Sequence, residues 1–189
     1  MSRLEVIVGP MFSGKSDELL RRLRRELVAG KVAAVYRPAI DTRYENGYVT
    51  SHAGNKLPAQ EVTSSLELFE SAIKNTQASV IAIDEAQFFD SHLPYFIEEL
   101  LNNNFKIIAC GLDKDFATQD FGPMPRLMVL ADRVDKLTAV CNKCGSDDAS
   151  FTQRLVDGKP AAFDGPTILV GGTESYEARC RDCFERGYS

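Results

Sequence analysis

At 189 residues, with 44% hydrophobic and 26% charged side chains, the chain has the composition of an ordinary globular protein and room for one sizeable core with at most a small appendage. It has no apolar run of about 18 residues, the length a membrane-spanning helix needs, and a formal net charge of -5 gives no overall basic surface for nucleic acid. The N-terminal MSRLEVIVGP passes after one basic residue into a short apolar strand, without the apolar length or cleavage site of a signal peptide, so a cytoplasmic location is expected.

Leu4 to Val8 (LEVIV) reads as a short buried strand ended by Gly9. A helix follows from Ser16, with Leu19, Leu20, Leu23, Leu27 and Val28 on its apolar face and Gly30 as its stop. A second strand is expected at Lys31 to Tyr36, and the polar stretch from Ile40 to Leu57 reads as a functional loop or hairpin. SSLELFESAIK predicts a helix capped by Ser64 or Ser65, with Leu66, Phe69 and Ile73 along one side. Then come a strand at Val80 to Asp84, a helix around Leu93 to Leu101, a strand at Phe105 to Gly111, a helix from Arg126 to Ala131 and a last strand at Val134 to Val140. This alternation implies an α/β fold with a mostly parallel sheet covered on both faces. From Cys141 the composition changes to paired cysteines, a Gly/Pro-rich centre and short β-like runs, SFTQRLV and TILVGG. The expected organisation is therefore an α/β domain over residues 1–140 and a small metal-held appendage over 141–189.

Gly9-Pro-Met-Phe-Ser-Gly-Lys-Ser16 matches G-x-x-x-x-G-K-[ST] in full, between a strand and an amphipathic helix. Backbone N–H groups of such a loop curl around the β- and γ-phosphates, the helix N-terminus adds partial positive charge, Lys15 neutralises developing charge and the Ser16 hydroxyl ligates Mg²⁺. VIAIDEAQFF ends an apolar strand in Asp84 and Glu85. On an extended chain adjacent side chains point to opposite sides, so Asp84 is placed in the Mg²⁺ shell and Glu85 is left free to act as a base. That base could activate water, as in a P-loop ATPase driving DNA or protein remodelling, or a substrate hydroxyl, as in a kinase. Cys141-x-x-Cys144 and Cys180-x-x-Cys183 have the spacing of a structural tetrahedral Zn²⁺ site, with a longer intervening segment than a zinc ribbon. The segment between them reads either as a lid or as a structural hairpin, and Cys110 reads as a buried packing residue.

The stretches GPMFSGKS, YRPAIDTRY, IDEAQFF, GLDKDF, LTAVCNKCG and GGTESYEARC, in this order, resemble the cellular, zinc-containing (type II) class of thymidine kinases over nearly the whole chain. The resemblance implies a P-loop, RecA-like fold with a zinc-held lasso, and transfer of the ATP γ-phosphate to the 5′-hydroxyl of thymidine or deoxyuridine. It places ATP with Mg²⁺ against Gly9, Pro10, Met11, Phe12, Ser13, Gly14, Lys15, Ser16, Asp41, Arg43, Asp84 and Gln87, with Ser16 and Asp84 on the Mg²⁺ side. Glu85 inherits the role of general base, assisted by Lys15 and Arg43. The nucleoside falls to Met11, Phe88, Leu112, Phe116 and Tyr176, and to the main chain of Thr167, Ile168, Leu169, Val170 and Gly171. The family pattern further implies structural Zn²⁺ on Cys141, Cys144, Cys180 and Cys183, a homotetramer and feedback inhibition by dTTP, while the net charge and the lack of a long apolar run leave no nucleic-acid or membrane partner expected. One departure is visible: Ala117-Thr118-Gln119-Asp120 stands where relatives carry a basic segment after GLDKDF, which leaves phosphate stabilisation to Lys15 and Arg43.

Overall fold

Near-continuous apolar runs become the centre of a six-stranded sheet, because strands buried on both faces need apolar side chains at every position. The structure, a computed structural model, describes residues 2–40, 47–50, 56–167 and 174–187. In chain order its elements are β1 (Arg3–Val8), α1 (Lys15–Val28), β2 (Ala33–Pro38), β3 (Tyr48–Thr50), β4 (Lys56–Pro58), β5 (Gln60–Val62), α2 (Ser65–Lys74) and β6 (Val80–Ile83). They continue with a 3₁₀ turn (Ala86–Phe88), α3 (Leu93–Asn102), β7 (Lys106–Gly111), α4 (Met124–Leu130), β8 (Arg133–Lys136), β9 (Phe151–Val156), β10 (Lys159–Pro160) and β11 (Glu174–Arg179).

The main sheet has the order β5-β2-β6-β7-β1-β8, and every neighbouring pair is parallel. In β1 the period of two divides the apolar run between two cores. Leu4, Val6 and Val8 meet Leu68, Leu93, Ile97, Met124 and Leu127 of α2, α3 and α4. Ile7 turns to the other face and packs with Leu19, Leu20 and Leu23 of α1. This is the helix-covered α/β sheet expected from the alternation.

Several local expectations shift. Leu27 and Val28 are 42% and 88% exposed. Val28 stands nine residues beyond Leu19, two and a half turns at about 3.6 residues per turn, so it falls opposite the buried stripe. In α2 the core-facing residues are Ser65, Leu68 and Ala72, one position away from the expected Leu66, Phe69 and Ile73. Leu66 and Ile73 are exposed, while Phe69 is partly buried against the core and stacks on Phe96 at 5.1 Å. Ser64 caps this helix by accepting from Glu67 N at 3.2 Å, and Glu67 accepts in return from Thr63 N at 2.7 Å. The last sheet strand ends at Lys136 rather than Val140, and β5 adds an edge strand that the sequence pattern did not suggest. Within the polar stretch, β3 and β4 pair as an antiparallel hairpin.

Beyond residue 140 a separate antiparallel sheet, β10-β9-β11, forms. SFTQRLV is β9, but its long partner is β11, ESYEAR, in the register Phe151–Arg179 to Val156–Glu174. Of the other β-like run, TILVGG, only Thr167 is described. Among the described residues no helix is long and apolar enough to cross a membrane.

Candidate functional site

The P-loop joins β1 to α1, at the C-terminal edge of the sheet where open α/β folds bind ligands. Gly9 is required by space: a Cβ there would stand 2.6 Å from the Leu137 carbonyl oxygen and 2.7 Å from Ser13 Oγ. Gly14 lies in the left-handed region at φ 76 and delivers the chain into α1, whose first turn has no side-chain cap. The opening amides of α1 therefore face outward as donors, the arrangement that receives phosphate. Ser13 Oγ and Lys15 Nζ both donate to the Pro10 carbonyl, at 2.8 and 2.7 Å, closing the loop on itself.

Ser16 Oγ lies 3.4 Å from each carboxylate oxygen of Asp84. Two oxygens in a Mg²⁺ shell of about 2.1 Å radius stand about 3 Å apart, so this pair fits that ion with little adjustment. Asp84 does not come from the strand beside β1, as its role alone would suggest; β7 lies between β1 and β6. Cys110 of β7 fills the gap, and its thiol donates to Asp84 Oδ1 at 2.8 Å. Cys110 is fully buried, as expected, and also touches the site directly. Burial, then the neighbouring Glu85 charge, pushes the Asp84 carboxyl up to about 6, against the pull of the Cys110 thiol, the Glu85 amide and Lys15. A cation beside Asp84 would relieve that strain.

Asp84 and Glu85 part company by a turn rather than by strand alternation. Glu85 has φ 50 and ψ 43, in the left-handed region, and starts the 3₁₀ turn. Its amide donates to Asp84 Oδ1 at 3.0 Å, and its carboxylate accepts from Gln87 Nε2. Gln87, expected beside ATP, is 2% exposed and also accepts from the Leu112 amide at 3.0 Å.

The residues expected to wall the nucleoside each have neighbours outside that set. Leu112 and Phe116 are buried at the end of β7 and in the loop beyond it, and Phe88 meets Phe121 edge-on at 5.5 Å. Tyr176 of β11 sits opposite Arg154 of β9. Thr167 Oγ1 donates to Asp115 Oδ2 at 3.5 Å. Asp115 in turn accepts from the amides of Ala117 and Gln119, at 2.9 and 2.8 Å, which builds the loop that departs from the family pattern. Ala117 is buried there with Phe116, Ala161 and Phe163. Asp41, Arg43, Ile168, Leu169, Val170 and Gly171 lie outside the described residues.

Two groups carry no local sequence signal. Arg154, 2% exposed, stacks over the Phe116 ring at 4.9 Å and donates to the Pro166 carbonyl at 2.6 Å. Thr152 accepts the Met11 amide of the P-loop at 3.0 Å through its hydroxyl. Both come from β9, more than a hundred residues from the P-loop, so only the fold brings them to the site.

The four paired cysteines converge, with all sulfurs within 4.8 Å of one another. Cys144 and Cys180 are 3.7 Å apart, far longer than a disulfide of about 2.05 Å and close to the edge of about 3.8 Å in a tetrahedron of Zn–S bonds. Burial opposes a thiolate at Cys141, but the amides of Cys180, Cys144 and Lys143 outweigh it and bring the thiol down to about 6. Contact with Cys144, then burial, pushes Cys183 up to about 12. Such a group of sulfurs becomes fully anionic only with a cation at its centre, so the donor set suits zinc. Asn142 ties the two pairs together, its amide donating to the Ala178 carbonyl at 2.9 Å and its side chain accepting from the Ala178 amide at 2.8 Å.

The family model for thymidine kinase matches residues 2–184. The chain belongs to the thymidine kinase family. Members of this family are phosphotransferases that use ATP and thymidine, and membership names the acceptor that the P-loop and the Asp84–Glu85 pair leave open.

Proposed function

We propose that this thymidine kinase family member transfers the ATP γ-phosphoryl group to the 5′-hydroxyl of thymidine or deoxyuridine, with Glu85 as the general base. The observation that carries the reading is the meeting of the P-loop and the end of β6: Ser16 faces Asp84, while the left-handed turn at Glu85 sends the next carboxylate elsewhere. The nucleoside oxygen forms a bond to the γ-phosphorus, the bond from that phosphorus to the bridging oxygen of ADP breaks, and the hydroxyl proton passes to Glu85. Lys15 and Arg43 bear on the phosphates, and Asp41 and Gly9 to Ser16 line the ATP side. Ser16 and Asp84 would hold Mg²⁺, which supplies charge neutralisation at the β- and γ-phosphates. Catalysis is then chiefly alignment and electrostatic stabilisation.

Met11, Phe88, Leu112, Phe116 and Tyr176 are assigned to the nucleoside pocket, with Thr167 to Gly171 holding the base through the main chain. A pocket closed in this way favours a pyrimidine over a purine. Zinc on Cys141, Cys144, Cys180 and Cys183 has a structural role, and the chain divides into a catalytic unit over 1–140 and a lasso unit over 141–189. A cytoplasmic homotetramer inhibited by dTTP completes the reading.

The test is ADP formation with ATP and Mg²⁺ alone, and then with thymidine, deoxycytidine or deoxyguanosine added singly. ADP should form with thymidine and be matched by dTMP. Equal ADP in every tube would instead make the protein an ATPase with water as acceptor.

A further inference from the structure

Gln87 occupies a place kept open by two glycines, one at the end of β7 and one in the loop before α4. A Cβ on Gly111 would stand 2.4 Å from Gln87 Oε1 and 3.2 Å from the main-chain nitrogen of Gln87, and a Cβ on Gly122 would stand 2.1 Å from the main-chain carbonyl oxygen of Gln87. Contacts under about 3 Å are not tolerated in close-packed interiors, so neither position accepts a side chain without moving Gln87. The enclosed residue is 2% exposed.

Its amide has only one workable orientation. The Leu112 N–H can only donate, so Oε1 must face it, at 3.0 Å. Nε2 is then turned to the Glu85 carboxylate, which accepts. One rigid side chain thus spans from the carboxylate at the end of β6 to the main chain of Leu112 at the end of β7. The need for such support is local: Glu85 lies at φ 50, a conformation that disfavours side-chain-bearing residues by about 1–2 kcal/mol and that persists where its surroundings over-determine it.

We infer that Gln87 is the positioning residue of the base: it fixes the Glu85 carboxylate relative to the nucleoside wall at Leu112, and does so without holding ATP. This rests on the assignment of Glu85 as base. Displacing a reacting group by about 1 Å is enough to lower a rate about 100-fold, so loss of this brace acts on turnover rather than on nucleotide affinity.

The experiment is a double-mutant cycle. Gln87→Met keeps the length and removes both hydrogen bonds, and Gln87→Glu keeps the acceptor for Leu112 while replacing the donor at Glu85 by a second carboxylate. Each should lower kcat about 10- to 100-fold, with ATP affinity, measured by equilibrium binding without nucleoside, within about twofold of the parent. Added to Glu85→Gln, Gln87→Met should give almost no further loss, because both changes remove the same function. Full additivity in that background, or ATP affinity falling in step with kcat, would overturn the inference. High activity in Glu85→Gln itself would instead remove the base assignment, an outcome visible without any Gln87 variant. If Gln87→Met fails to fold, Gln87→Glu, which retains the Leu112 bond, decides the matter alone.

Discussion

The two sheets are held together by different means. The parallel sheet sits between two apolar cores rich in Leu, Ile and Val, one built with α2, α3 and α4 and the other with α1. Among the described residues, the core beside the cysteines contains Ala139, Ala149, Ala178, Cys141 and Cys180, with Cys183 at its margin. Fully burying a large aliphatic side chain stabilises by about 1.5–3 kcal/mol, and that source is missing from this cluster. The parallel sheet is thus held by its own apolar packing, whereas the cysteine cluster draws little from apolar burial.

Removing the metal should have the largest effect and should separate the two regions. Structural Zn²⁺ sites supply apparent binding free energies of about 10–16 kcal/mol near neutral pH, much of it folding free energy. Chelation, or Cys144→Ser, should release zinc and abolish amide-exchange protection across β9 and β11 while β1 and β7 stay protected. A hairpin that keeps its protection without metal would remove the contrast.

The parallel sheet has an electrostatic counterpart at its opposite edge. Arg22 of α1, 7% exposed, donates to Glu5, Glu18 and Asp135 at 2.8, 2.8 and 2.6 Å, and Lys106 pairs with Glu5 and Glu26 at 2.8 and 2.6 Å. Arg22→Met should destabilise the protein by about 1.5–3 kcal/mol, the scale of lost charge-assisted hydrogen bonds, because Glu5 keeps Lys106, Glu18 keeps Arg21 and Asp135 keeps Arg133. The bonds from Arg21 and then Arg22 hold Glu18 down to about 2, against its partial burial. A carboxylate held below its ordinary value contributes stability above that value and loses it as protons bind the folded state. Urea stability of the parent should accordingly fall between about pH 4.5 and 2, and the slope should be flatter in Arg22→Met. Parallel pH profiles would mean that the network contributes nothing through Glu18.

How far the site could be read from sequence follows the same division. The P-loop is legible because its residue types are dictated locally: Gly9 by a carbonyl 2.6 Å from any Cβ, Gly14 by its positive φ, Lys15 and Ser16 by phosphate and Mg²⁺ chemistry. The cysteine pairs are legible because a metal fixes ligand type and spacing. The supports of the site are not. Cys110 looks like any residue of an apolar strand, and its contact with Asp84 depends on a strand order, β6-β7-β1, that no local pattern encodes. Gln87 sits in the recognisable IDEAQFF, but its two partners are set by a turn at Glu85 and by a backbone amide of β7's exit. The α2 stripe was misplaced by one residue because Leu66 and Ile73 are apolar yet exposed, while the buried Ser65 looks polar.

Thr152 joins the two regions, and its removal sharpens the comparison with the smallest perturbation. Its hydroxyl accepts from Met11 N at 3.0 Å, so β9 supports the phosphate-binding loop from outside. Leu137, which leads toward the cysteines, presses its carbonyl against Gly9 from the same chain direction. Thr152→Val preserves shape and removes the acceptor, leaving the Met11 amide unsatisfied in a part-buried position, at a cost of about 1–3 kcal/mol. If that cost is felt in the loop, ATP affinity should fall about 5- to 10-fold, since about 1.4 kcal/mol is a factor of ten, with the melting temperature lowered by about 2–4 °C per kcal/mol and no change in zinc content. Chelation should then lower ATP affinity in the parent by at least as much, and Thr152→Val should be the less sensitive of the two to chelation. Unchanged ATP binding in both experiments would show that the P-loop holds its shape without β9.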